Sequence, residues 1–330
     1  MDVTKTHVAT DLKHDSPLIS CRFDPSGKFA FVGAQDYNVW RFEIASGNKV
    51  AYPTDAWVRS LAFSTDGSKL FTGGYDGRLI AWDAHAEKPE PLYAIEAHKG
   101  WIRAIDVSPD GTLLASVGND LVVRLWSTSD GKLVREMKGH ESHVYNVRFH
   151  PSGEHLATGD LMCHLIHWDV ASGKKMRTWQ AESLQIYDKT FVATIGGFRG
   201  MEFSADGSEV LCSGITNVTN AFAGIGNPSV VAFDWESGKQ TTEHLSKGKL
   251  QGVAWGLAVH PDGTRIAATG GRGGYLLFWK PKEVNEFHNT KMPNDAMDLD
   301  ISSDGLHLLT AHYNSHAYVS LMDAKKKPAG

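Results

Sequence analysis

Seven times along the chain one apolar residue stands two places before another: Cys21 and Phe23, Leu61 and Phe63, Ile105 and Val107, Val147 and Phe149, Met201 and Phe203, Leu257 and Val259, Leu299 and Ile301. That spacing keeps one face of an extended strand buried, because side chains alternate across a strand. A polar tetrad follows each pair (DPSG, STDG, SPDG, HPSG, SADG, HPDG, SSDG) and ends at Gly27, Gly67, Gly111, Gly153, Gly207, Gly263 and Gly305, at intervals of 40, 44, 42, 54, 56 and 42 residues. Pro, Asp, Ser and Gly preset the dihedrals of a tight reversal, so each tetrad predicts a turn between antiparallel strands. Fifteen or sixteen residues past the glycine a large apolar residue recurs as Phe42, Trp82, Trp126, Trp168, Trp279 and Leu321; in the fifth unit the gap lengthens to 26, at Phe233. The segments EIASGNK, STSDGKL, DVASGKK and DWESGKQ then mark a second turn into an outer strand.

These units resemble those of the WD-repeat β-propeller family. The likeness rests on the Trp-Asp pairs at Trp82 and Trp168, the Gly-His at Gly139 and the tetrad SPDG, and it extends over essentially the whole chain. It implies an all-β, seven-bladed propeller over residues 1–330, each blade a four-stranded antiparallel sheet. After Leu321 there is no room for the seventh unit's outer strand, whereas residues 3–12, VTKTHVATDL, have strand-like composition. They are expected to complete blade seven, leaving residues 324–330 as a tail. Such a clasp leaves only short, protected sheet edges.

Residues 98–126, HKGWIRAIDVSPDGTLLASVGNDLVVRLW, hold His98, Ser116, Asp120 and Trp126, and a serine, a histidine and an acid invite a catalytic reading. The histidine offset recurs at His14 and His140, with Thr54 and Leu250 at that place in units two and six. The resemblance implies that the four residues form a hydrogen-bonded network between the strands of a blade. A catalytic triad would need an exposed nucleophile, an oxyanion hole and a pocket, whereas a buried network needs only mutual satisfaction. A structural role is therefore expected. Other units are incomplete: unit two keeps Thr72, Asp76 and Trp82, unit four has Met162 at the aspartate position beside His140, Thr158 and Trp168, and unit six has Gly273 there beside Thr269 and Trp279.

A further apolar column, Leu18, Val58, Ile102, Val144, Phe198, Ala254 and Ala296, stands three residues ahead of the first member of each pair. An offset of three breaks the alternation and predicts a β-bulge that re-aims a side chain. Just inside the break lie Ile19, Arg59, Arg103, Tyr145, Arg199, Trp255 and Met297; two places earlier come Trp57, Trp101, His143 and the one acid of the two columns, Asp295. The resemblance implies that these positions face the top of the ring, the family's usual partner side. Arg and Trp dominate binding hot spots, and Arg pairs bidentately with carboxylate or phosphate. An acidic or phosphorylated peptide over the channel mouth is the expected ligand, with Tyr75 and Arg272 beside the following turns widening the patch. The plainer alternative has Trp57 and Trp101 packing between blades and the arginines in water.

At 330 residues, 42% hydrophobic and 22% charged, the composition is that of a soluble globular protein. A net charge of -5 offers no general attraction to nucleic acid or an anionic membrane. A ring offers a large rigid surface and no constellation meets the geometric demands of catalysis, so the expected role is a non-catalytic scaffold binding proteins or peptides. Two other readings stay open: single-stranded nucleic acid, which Arg among aromatics suits, and an enzyme with its site at the channel mouth. The polar segment from Met1 to Leu12, and the absence of roughly 18 consecutive apolar residues, point to the cytoplasm. Cys21, Cys163 and Cys212 are too few for a disulfide framework and read as buried thiols. The 16 histidines include no HExxH, and His140 with His143 lacks a third ligand, so neither metal nor cofactor is expected. Insertions at 181–197 and 214–228 lengthen unit five and could form a wall beside Arg199. GIGNP and GGRGG lead into strands rather than a helix, and are expected to be turns rather than phosphate cradles.

Overall fold

The computed structural model describes residues 1–189, 192–220, 225–248 and 250–323. The paired apolar positions become the innermost strands of seven four-stranded antiparallel sheets: Leu18–Phe23, Val58–Phe63, Ile102–Val107, Val144–Phe149, Gly200–Phe203, Val253–Val259 and Ala296–Ile301. Each packs against the innermost strand of the next blade, and the first packs against the seventh, so the ring closes around a central channel. The turn glycines all adopt the left-handed conformation, from φ 70 at Gly305 to φ 87 at Gly263, which a residue without Cβ enters without steric cost. In the third tetrad the Ser108 carbonyl accepts the Gly111 N–H at 2.8 Å, and the Ser108 hydroxyl accepts the Leu113 N–H at 2.9 Å.

The cores lie between blades rather than within one. Phe31 and Tyr52 of blade one pack with Leu61, Leu70 and Trp82 of blade two, and the same alternation continues round the ring through Trp126, Trp168, Phe233 and Trp279. Side chains also bond across blades. Ser20 donates to the Val58 carbonyl at 2.8 Å, Ser60 accepts from the Ile105 N–H at 2.9 Å, and Asp106 accepts from the Phe149 N–H at 2.7 Å. Cys21, Cys163 and Cys212 are buried free thiols.

Blade seven is completed by the start of the chain, as expected. His7–Lys13 runs antiparallel to His316–Leu321, with Leu12 opposite Ala317 and Lys13 opposite His316. Val3–Lys5 forms a short 3-10 turn ahead of the strand, which therefore begins at His7 rather than residue 3. His316 Nδ1 meets Asp11 at 2.6 Å, and the Asp298 and Asp300 carboxylates of blade seven accept the Cys21 and Phe23 N–H groups of blade one at 3.0 and 2.7 Å.

The described residues of the unit-five insertions include paired strands. Gln185–Asp188 pairs with Ala193–Gly196 as a separate hairpin, and Glu209–Asn220 with Ile225–Asp234 extends the blade's central strands. The GIGNP segment thus departs from the expected turn: Ile225–Pro228 is strand, with Pro228 opposite Ile215, because the partner strand is long enough to carry the ladder outward. GGRGG does turn, with Gly271 and Gly273 at φ 99 and 107. The lysines at 325–327 lie outside the described residues. Among the described residues no helix is long and apolar enough to cross a membrane.

If closure depends on the first strand, its buried member must carry the cost of losing it. Leu12 is 2% exposed within the core shared by blades seven and one. Leu12→Ala should destabilise by about 2–5 kcal/mol, whereas Lys13→Ala, an exposed neighbour, should stay within about 0.5 kcal/mol. Urea unfolding of both variants checks this; equal, small losses would mean that the strand is not part of the cooperative ring.

Candidate functional site

In six blades the pairing of the two innermost strands skips one residue, and the skipped residues are Ile19, Arg59, Arg103, Tyr145, Trp255 and Met297. Blade five reaches the same place differently, its inner strand starting at Gly200 while the Arg199 N–H bonds the Ser213 carbonyl at 2.9 Å. A bulged residue leaves the ladder and turns its side chain off the sheet face. All seven of these side chains line a single cavity of about 320 Å³ where the inner strands begin.

The three arginines of this ring are held by neutral groups. Arg59 donates to the Ile19 carbonyl and, at 3.0 Å, to that of Met297; Arg103 Nε donates to Asn119 at 2.9 Å. Arg199 Nη2 donates to the Gly196 carbonyl at 3.1 Å, while its Nε and Nη1 are buried without an acceptor among the described residues. Aromatic faces do the rest: the Arg103 guanidinium lies 4.5 Å from the ring centres of both Trp101 and Tyr145, and that of Arg199 lies 5.3 Å from Tyr145 and 5.1 Å from Trp255. Burial, with Arg59 and Arg103 adding repulsion, lowers the Arg199 pKa from its ordinary value. The cavity wall includes one carboxylate, Asp298, and Arg22 already holds it at 3.2 Å.

Trp57 and Tyr75 also line the cavity, and Trp101 stacks on Tyr75 with ring centres 4.2 Å apart and planes within 6°. Trp101, His143 and Arg272 are exposed and stand outside the cavity wall. The first insertion does reach Arg199, through the Gly196 carbonyl. The second shares with the first a separate groove lined by Gln185, Ile186, Ile215 and Asn217. Arg22 and Arg148, which form part of the cavity floor, were not anticipated. They belong to a column three residues past each bulge that reads Arg22, Ala62, Asp106, Arg148, Glu202, Ala258 and Asp300 around the ring. Aligning that column would have exposed the pattern.

The column is a belt of charge across the channel. Arg148 bonds Glu202 at 2.7 Å and approaches Asp106 at 3.4 Å, while Arg22 reaches Asp298. Burial pushes the Asp106 and Asp300 carboxyls up to about 6, against the opposing pull of Arg148 and Arg22.

The polar set in blade three is a closed relay. With the ring proton of His98 on Nδ1, Trp126 Nε1 donates to Ser116 at 2.8 Å, Ser116 donates to His98 Nε2 at 2.7 Å, and His98 donates to Asp120 at 2.8 Å. Burial works to raise the Asp120 pKa, but the hydrogen bonds from His98 and Arg124 outweigh it and hold it low. Blade four corrects the sequence reading. Met162 does not leave the relay open, because Asp160, two residues earlier, meets His140 at 3.0 Å while Thr158 joins His140 to Trp168 at 2.6 and 2.8 Å. The turn positions this carboxylate by N–H groups from Met162 and His164, at 2.9 and 3.0 Å. In blade two Trp82 still bonds Thr72, at 3.1 Å. Among the described residues no group of three or more His, Cys, Asp or Glu side chains could hold a metal ion.

The family profile described as WD domain, G-beta repeat matches residues 49–83, 89–127 and 131–169. Each stretch takes the outer strand of one blade and the three inner strands of the next, and each ends just past a tryptophan bonded to a buried hydroxyl. The chain is a seven-bladed β-propeller that carries three WD repeats. This propeller is 29% identical over 160 residues to a transcription initiation factor TFIID subunit 5 of Caenorhabditis elegans, covering 48% of the chain and 24% of the relative. It is 27% identical over 217 residues to Protein groucho of Drosophila melanogaster, covering 64% and 27%. To the WD repeat-containing protein SL1-17 of Schistosoma mansoni it is 28% identical over 124 residues, covering 38% and 41%. The propeller therefore spans less than half the length of each of these relatives.

The charge belt makes stability depend on pH. A carboxyl whose folded pKa lies above its unfolded value, ordinarily about 3.9, binds more protons in the folded state, so its contribution to stability grows as pH falls from about 7 toward 4. Asp300→Asn keeps an oxygen for the Phe23 N–H but cannot titrate. Urea midpoints at pH 7.5 and 5 should shift in favour of the wild type relative to this variant as the pH drops; a constant difference would contradict the assignment.

Proposed function

We propose that this propeller is a non-catalytic interaction adaptor whose channel mouth receives an acidic or phosphorylated segment of a protein partner. One observation carries the reading: Arg59, Arg103 and Arg199, on blades two, three and five, share a cavity, and among the described residues none of them is paired with a carboxylate there. Three guanidiniums gathered in a partly desolvated space repel one another, and an anion relieves that repulsion while accepting charge-assisted hydrogen bonds. The aromatic rings against Arg103 and Arg199 hold the cations in place, so little side-chain freedom is lost on binding.

The relatives agree with an assembly role, since one of them is by name a subunit of a transcription initiation factor. The Ser116–His98–Asp120 set gives catalysis no foothold, because the Ser116 hydroxyl is fully buried and already bonded on both sides. The net charge of -5 disfavours a nucleic-acid strand, whose affinity comes mainly from phosphates along a basic track.

Affinity capture from the native cell with wild type, with Arg103→Glu and with the triple change of Arg59, Arg103 and Arg199 to Glu tests the proposal. Partners recovered by the wild type should be reduced by the single variant and lost with the triple one, with melting temperatures confirming that each variant is folded. Recovery that is unchanged in the triple variant would remove the channel mouth as the contact surface.

A further inference from the structure

The aromatic groups at the channel mouth are unevenly distributed. On one side Tyr145 and Trp255 flank Arg199, so those rings serve a cation. Over blades two and three the rings of Tyr75 and Trp101 face Arg103 and also pack with a neighbour: Trp57 lies 6.1 Å from Tyr75, and Tyr75 stacks on Trp101. Trp101 remains 42% exposed although it is one of the largest apolar side chains in the protein. Its backbone is fixed, because the Trp101 carbonyl accepts the Asn119 N–H at 3.0 Å and a Cβ at Gly118 would come within 2.2 Å of that same oxygen. Trp57 is anchored as well, its Nε1 donating to the Gln35 carbonyl at 3.0 Å. A rigid, partly exposed aromatic shelf has little ordering entropy left to lose, which is the property of a binding anchor.

Arg103 joins the shelf to the cavity, since its guanidinium is 4.5 Å from Trp101 on one side and 4.5 Å from Tyr145 on the other. An anionic group held by Arg103 therefore lies within one or two residue lengths of the shelf, at ~3.3 Å per residue of extended chain. In an extended segment side chains share a face at positions two apart. We infer that the partner segment is bipartite: an anionic residue enters the arginine cavity, and an apolar residue two positions away lies on the Trp57–Tyr75–Trp101 shelf. This rests on the anion reading above and adds the partner's second recognition element.

Two pentapeptides separate the two readings, one with a central phosphoserine followed two positions later by leucine and the other with glycine there, all remaining residues being glycine. In calorimetric titrations of the full chain the leucine peptide should bind about tenfold more tightly. Trp101→Ala should abolish that gain, the two peptides then binding alike. Equal affinity for the two peptides, or a gain that survives Trp101→Ala, would overturn the shelf while leaving the anion site in place. Binding of neither peptide would overturn both.

Discussion

The channel mouth exists only because the ring is closed, and the ring is closed by the pairing of His7–Lys13 with His316–Leu321. Each blade's apolar faces are covered by its neighbours, so an open array would leave two such faces in water. The clasp is reinforced in the channel wall, where Asp298 and Asp300 bind backbone N–H groups of the first blade. Residues nearly 300 positions apart in sequence are thereby held in register, and the six bulges and Arg199 are brought onto one circle. A ring side chain then converges on its counterparts instead of projecting from a separate sheet.

Bulge and belt together give the channel a polarity. Nearest the mouth the uncompensated groups are Arg59, Arg103 and Arg199; deeper, four carboxylates, Asp106, Glu202, Asp298 and Asp300, surround two arginines. The deeper belt is bonded to backbone and to itself, so it acts as wall. The upper arginines lean on aromatic rings and carbonyls and retain charge to offer. A rigid scaffold with its polar groups largely satisfied can hold such unneutralised cations close together, because their mutual repulsion is small beside the interblade packing.

Much of this was readable along the chain. Period-two apolar pairs and glycine-terminated tetrads mark the strands and turns directly, and the offset of three before each pair gave away the bulge and with it the ring of seven side chains. What escaped had physical reasons. Asp160 substitutes for the expected carboxylate because a two-residue displacement within a tight turn leaves the oxygen in nearly the same place, a three-dimensional equivalence that fixed spacing cannot register. The strand at Ile225–Pro228 was obscured by glycine and proline, which signal a turn only when no long partner strand offers a ladder. Trp101 and His143 share a column with Trp57, and Arg272 stands beside a following turn, yet all three lie outside the cavity wall, since a sequence position fixes backbone placement and leaves the reach of the side chain open.

The most direct test of a closed ring that gathers three unpaired guanidiniums is a crystal of the protein soaked in selenate, with the anion located by its anomalous signal. Selenate within hydrogen-bonding distance of at least two of Arg59, Arg103 and Arg199 is the expected result. A cavity without selenate while the ion occupies other surface sites, or guanidiniums turned away from one another, would contradict it.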